Sequence, residues 1–176
     1  MHADTGLTQH NLEARGFCGF IPFSGLPSSD VPAEGGVSVV LRSSLGPPRF
    51  LTTSPAGRRR QRDPSVPPEQ LALEWVEGAH VLYIGKAAAG ERAEHGLRGR
   101  LRQYARSGTG SAGHWGGRYI WQLDDSSALL VAWCLTPDLD PAHAEADLID
   151  EFVRLHGKPP FANLRRGTRT RRLAAP

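Results

Sequence analysis

A carboxylate on the apolar stripe of a helix costs free energy unless a cation or hydrogen-bond donors meet it. On a wheel of ~100° per residue, Leu148, Ile149, Phe152, Val153 and Leu155 form one apolar arc. Glu145 falls near the middle of that arc, while Asp147, Asp150, Glu151 and Arg154 lie opposite. Two readings are open for Glu145: a metal ligand, or half of a structural ion pair. A second singular residue is Arg100. After Gly96, residues Leu97, Leu101 and Tyr104 share a face and Arg100 leans toward it, whereas Arg98, Arg102 and Arg106 form a separate outward stripe. That stripe has the spacing to touch several phosphates, and it is also what a solvated face looks like. A semi-buried arginine near a semi-buried glutamate is either an ion pair or the two halves of an anion-plus-metal site. Third is Tyr83-Ile84-Gly85-Lys86. Tyr83 ends an apolar strand, Gly85 lets backbone approach closely, and Lys86 either lowers the pKa of a neighbouring phenol or binds phosphate.

These residues need elements to hold them. Val37–Leu41 and Val81–Ile84 are short apolar, β-branched runs that predict strands. Tyr119–Leu123 and Leu129–Leu135 read as two more strands around the turn Asp124-Asp125-Ser126-Ser127. Helices are predicted over Thr8–Arg15, Glu69–Glu77 (Leu71, Trp75 and Val76 inward) and from Gly96 to about Arg106. The last helix carries the clearest signals, with Asp140 as N-cap, Pro141 at the first position and Gly157 ending it. Gly16–Phe23, punctuated by Gly and Pro, reads as an irregular arm. Ser43–Pro68 reads as a long, functional or mobile loop centred on Arg58-Arg59-Arg60 and Arg62.

With 176 residues the chain fits one domain. Hydrophobic residues make up 39% and charged residues 22%, an ordinary globular balance. No apolar run suits a membrane helix, and Met1–Gly16 does not read as a secretory signal, so a cytoplasmic, soluble protein is expected. Cys18 and Cys134, far apart and unaccompanied, are expected as free core thiols. The net charge of +3 favours a polyanionic partner. The tilt to arginine, with Lys86 and Lys158 the only lysines, is equally what a GC-rich genome produces.

In their order along the chain, Gly36-Val37, Tyr83-Ile84-Gly85-Lys86-Ala87, Leu97–Tyr104, Glu145-Ala146-Asp147-Leu148-Ile149 and Pro160-Phe161-Ala162-Asn163 resemble the GIY-YIG nuclease family. The likeness is nearest to the N-terminal nuclease of the bacterial excision-repair incision subunit and to GIY-YIG restriction enzymes. It implies an α+β fold, a small mixed or antiparallel central sheet flanked by helices. It divides the chain into an N-terminal arm (1–35), a nuclease domain (36–163, with an insertion at 42–80) and a basic tail (164–176). Carried over by position, Tyr83 matches the family's candidate general base and Lys86 the lysine that follows it. Arg100 matches the helix arginine that stabilises the transition state, and Tyr104 the Tyr or His one turn on. Glu145 matches the metal-binding glutamate and Asn163 the asparagine that orients the site. The first signature half departs: Gly36-Val37-Ser38 has serine where the family has tyrosine.

The implied activity is metal-dependent endonuclease cleavage of phosphodiester bonds, most directly in duplex DNA, with Mg²⁺ or Mn²⁺ at Glu145. His114 is a further candidate for substrate binding or proton transfer, or a turn residue without a role. Arg58, Arg59 and Arg60 in the insertion, the stripe Arg98, Arg102 and Arg106, and Arg165, Arg166 and Arg169 in the tail are the expected nucleic-acid contacts. A rival reading is a GIY-YIG domain that binds nucleic acid or a protein partner without cleavage, motivated by Ser38.

Overall fold

A computed structural model describes residues 6–90, 95–111 and 115–164. His114 and the tail arginines Arg165, Arg166 and Arg169 lie outside the described residues. The fold is α+β, with one four-stranded antiparallel sheet. Its strands are β1 (Cys18–Pro22), β2 (Gly36–Leu41), β3 (Val81–Ala87) and β4 (Leu130–Leu135), in the order β1-β4-β2-β3. The helices are α1 (Gln9–Ala14), α2 (Pro68–Glu74), α3 (Gly96–Gly108) and α4 (Pro141–His156). No helix among the described residues is long and apolar enough to cross a membrane.

The central strand β2 is buried at every residue, as its Val-Ser-Val-Val-Leu run requires. One face of the sheet packs Val40, Leu82, Val131 and Trp133 against Leu97, Leu101 and Tyr104 of α3. The other packs Val37, Val39, Ile84 and Ala132 against Leu148, Ile149 and Phe152 of α4, with Leu12 of α1 beside them. Asp140 caps α4 by accepting from the Ala142 N–H, and Gly157 ends it in the left-handed conformation. The apolar arc of α4 is narrower than expected, because Leu155 is exposed.

Three segments differ from their sequence reading. Gly16–Phe23 is not an irregular arm. Its core is β1, paired with β4 through a bulge at which Gly19 and Phe20 take positive φ. A side chain at Gly19 would overlap the Trp133 indole, so glycine lets the two strands close. Tyr119–Leu123 is not a strand. Gly117, at φ +89°, turns the chain into a 3-10 segment over Arg118–Gln122. The insertion is not a free loop either. Leu51 N–H bonds Gln122 O, Asp124 N–H bonds Arg49 O and Gly57 N–H bonds Ser107 O, which pin it to the 3-10 segment and to α3. Nor are both thiols in the core: Cys18 is exposed on the outer strand and Cys134 is half-buried, both free.

Candidate active site along strand β3

β3 is the edge of the sheet, and its side chains alternate between the two layers. Tyr83 packs with the α3 layer, whereas Ile84 packs with the α4 layer. Gly85, two residues on, shares the Tyr83 face. An added Cβ there would lie 2.7 Å from Tyr83 Cε1 and 2.9 Å from its hydroxyl oxygen, so the ring lies along the strand over Gly85. That contact explains the Tyr-x-Gly spacing physically. Ser38 is buried and pairs across the sheet with Gly85, which puts its short side chain next to the residue the ring covers.

Tyr104, on α3, meets Tyr83 edge to face with ring centroids 5.2 Å apart. Its hydroxyl donates to Gly117 O at 2.8 Å. Gly117 closes the pair from outside, since a Cβ there would press on the Tyr104 hydroxyl and on Tyr83 Cε2. Arg100 sits on the same helix, half-buried, with Nη1 donating to Gln103 Oε1 at 3.0 Å. Burial pushes the Tyr83 phenol up to about 12; the Arg100 charge opposes that rise and the Glu145 charge adds to it. Burial drives the Tyr104 phenol well above its ordinary value too.

Glu145 points inward from α4, its side chain only 13% exposed, and Oε2 meets Lys86 Nζ at 3.0 Å. Lys86, 41% exposed, is thus the ion-pair partner of Glu145, the alternative left open for that carboxylate. Among the described residues no group of three or more His, Cys, Asp or Glu side chains comes together. Asn163 orients backbone, not the phenol. Its Oδ1 accepts from Ile84 N–H at 2.9 Å and its Nδ2 donates to Ile84 O at 2.8 Å, while Ala162 N–H bonds Leu82 O. The Pro160–Asn163 segment thereby completes the exposed hydrogen-bonding edge of β3.

The expected nucleic-acid arginines are mostly where the sequence put them. Arg98, Arg102 and Arg106 are exposed on α3, although Arg98 Nε is engaged by Val31 O at 2.7 Å. Arg58, Arg59 and Arg60 are exposed at the tip of the insertion, with Arg58 3.4 Å from Asp63. Arg59 and Arg62 bridge a tight two-residue turn in which Arg60 (φ 48°) and Gln61 (φ 62°) are left-handed. Two residues not singled out in the sequence prove central. Gln122, 1% exposed, is the polar anchor of the insertion. Arg118, half-buried, follows the glycine that abuts the Tyr83–Tyr104 pair and stacks on Trp115 and Tyr119. The glycines before Arg118 were the only signal available for it.

No family model matches this chain, and no curated protein or solved structure matches it.

Proposed function

We propose that this chain is a metal-dependent nuclease of the GIY-YIG type, acting on phosphodiester bonds of duplex DNA in the cytoplasm. One observation carries the reading. Tyr83 on β3 packs edge to face on Tyr104 of α3, one turn beyond the half-buried Arg100, and Lys86 on the same strand pairs with the inward Glu145 of α4, so one strand links the phenol to the helices that carry the guanidinium and the carboxylate. A phenol, a guanidinium and a carboxylate are what hydrolysis of a phosphodiester calls for: a proton acceptor, an anion stabiliser and a cation ligand.

Glu145 is the residue that would hold Mg²⁺ or Mn²⁺. A lone carboxylate with one oxygen committed to Lys86 suits a hydrated ion bound by few protein ligands and by substrate phosphates. Such an ion supplies Lewis-acid stabilisation of a phosphate oxygen and of the leaving oxygen. Arg100 meets the negative charge that builds on the phosphoryl group. Tyr83, as phenolate, takes the proton of the attacking water. At a pKa of about 12 that form is scarce near neutrality. Neutralising Glu145 removes one upward push on the phenol and leaves the downward push of Arg100. Tyr104 and Gly85 hold the ring in place, and Asn163 holds the strand.

A specific observation favours a second reading, binding without cleavage: the carboxylate is closed by Lys86, and Ser38 replaces the family's first tyrosine. Supercoiled plasmid with Mg²⁺ or Mn²⁺ separates the two. The nuclease reading expects nicking that Glu145→Gln and Arg100→Ala each reduce by at least about a hundredfold. It also expects the wild-type rate to climb with pH, since the base form gains about tenfold per unit below its pKa, and Tyr83→Phe to lose that climb. Normal cutting by Glu145→Gln rejects the metal assignment. Plasmid bound but never nicked leaves the second reading.

A further inference from the structure

We propose that Arg118 is a backbone-binding arginine that holds a phosphate of the bound strand. This inference rests on the nucleic-acid reading above and adds to it a residue that none of the matched motifs contains.

The argument starts from how Arg118 is held. Its guanidinium carbon lies 4.4 Å from the Trp115 ring centroid and 5.1 Å from that of Tyr119. Tyr119 is itself buried and packs on Phe161 at 5.7 Å. Nη1 donates to Trp115 O at 3.4 Å, a long bond, and Nε is shut in with no hydrogen-bond partner. No carboxylate among the described residues pairs with Arg118. Burial lowers its pKa from the ordinary value, the mark of a cation without a counter-ion.

Arg42 shows what a structural arginine looks like in the same molecule. It is more deeply buried, and it bonds Asp125 at 2.7 Å, Ser44 O at 3.0 Å and Gly46 O at 2.6 Å. Its charge and donors are spent inside the fold. Arg118 is held by stacking on Trp115 and Tyr119, and no carboxylate among the described residues takes up its charge. It stays partly exposed, so an anion reaches it at the terminal nitrogens. A guanidinium held in place beforehand and short of an anion is suited to phosphate, which it meets with a planar fork of donors.

The backbone places this group beside the phenol and not on it. Gly117, one residue earlier, abuts Tyr83 and Tyr104. The Arg118 guanidinium itself stacks on Trp115 and Tyr119. A backbone that reaches the Tyr83 phenol therefore passes the segment that carries Arg118.

The test is an anisotropy titration of a short labelled duplex with the full chain in EDTA, across a KCl series, with inorganic phosphate as a competitor. Arg118→Gln is expected to weaken binding roughly tenfold and to flatten the salt slope by about one unit. Arg118→Lys should restore the slope but not the full affinity, because it keeps the charge and loses the stacked fork. If wild type binds and Arg118→Gln matches it in affinity and slope, Arg118 only packs, and the nuclease reading stands without it. If Arg118→Gln fails to fold, Arg118→Lys decides, and unchanged affinity overturns the proposal. A wild type that binds no duplex at any salt rejects both readings. Binding that depends on Arg118 in a protein that never nicks plasmid rejects cleavage alone.

Discussion

Two carboxamides do the same job in this molecule, in different surroundings. Asn163 pairs with both the N–H and the C=O of Ile84. Gln122 pairs with both the N–H and the C=O of Val66, and also donates to Leu51 O at 2.8 Å. Each side chain imitates a neighbouring strand where none is present. Gln122 does so in the interior, where no water can replace it, and it closes the insertion onto the body. Asn163 does so at a half-buried edge, where water is near, and it keeps open the face of β3 that carries Tyr83. One amide builds a rigid arm; the other builds the rim of the candidate site.

The largest expected effect comes from breaking the buried member of the pair. Gln122→Leu keeps apolar bulk but strands one N–H and two carbonyls. At about 1–3 kcal/mol for each unsatisfied buried group, the loss should reach about 3 kcal/mol or more in urea unfolding. The insertion should then become the first site of limited proteolysis. Asn163→Leu should cost less, about 1–2 kcal/mol, because water reaches the freed Ile84 groups, and it should slow plasmid nicking as β3 loses its brace. Equal losses for the two variants would remove the distinction between interior and rim.

The same contrast shows what the sequence could reveal. α4 was legible because its signals are local: Asp140, Pro141, Gly157 and an apolar arc of period 3.6. The burial of Glu145 followed from that wheel, since inwardness is a property of one helix. Its partner Lys86 did not follow, because pairing depends on which face of β3 packs on α4. β1 was hidden by Gly19 and Phe20, whose bulge breaks alternation, and by a partner strand more than a hundred residues on. The 3-10 segment Arg118–Gln122 and a strand share the same short apolar pattern, so only the left-handed Gly117 separates them. The insertion read as a loop because it is docked by scattered contacts, backbone bonds at Arg49, Leu51 and Gly57, the Gln122 amide, and the widely spaced Phe50, Ala56 and Val66, which form no periodic run.

A smaller effect tests the packing behind Tyr-x-Gly. Gly85→Ala puts a methyl within 2.7 Å of the Tyr83 ring. The ring must move, at about 1–3 kcal/mol for overpacking, and the phenol leaves its place against Tyr104 and Gly117. In a Tyr83→Ala background the same methyl meets open space, and Gly85→Ala should be close to neutral. The double-mutant coupling should therefore be about 1–3 kcal/mol. A Gly85→Ala cost that is identical in both backgrounds would mean that the glycine serves the backbone and not the ring.

The smallest effect lies at the tip of the insertion, where local strain and function can be separated. Arg60 and Gln61 both occupy left-handed conformations, which cost an L-residue about 1–2 kcal/mol each. The turn persists because Gln122 and the bonds from Leu51 and Gly57 fix its stem. It holds Arg58, Arg59, Arg60 and Arg62 in one exposed group. Gln61→Gly relieves the strain at one position without removing any arginine. Part of the gain is returned as extra freedom in the unfolded chain, so the net stabilisation should be about 0.5–1 kcal/mol. Duplex affinity and its salt slope should stay at wild-type values, because every arginine of the tip is retained. Substituting Gly at 61 in Gln122→Leu should give less, since a turn on a released stem can relax by itself. A gain that persists undiminished in that background would mean that the tip holds its shape without the buried amide, and that the arm is folded from its own end.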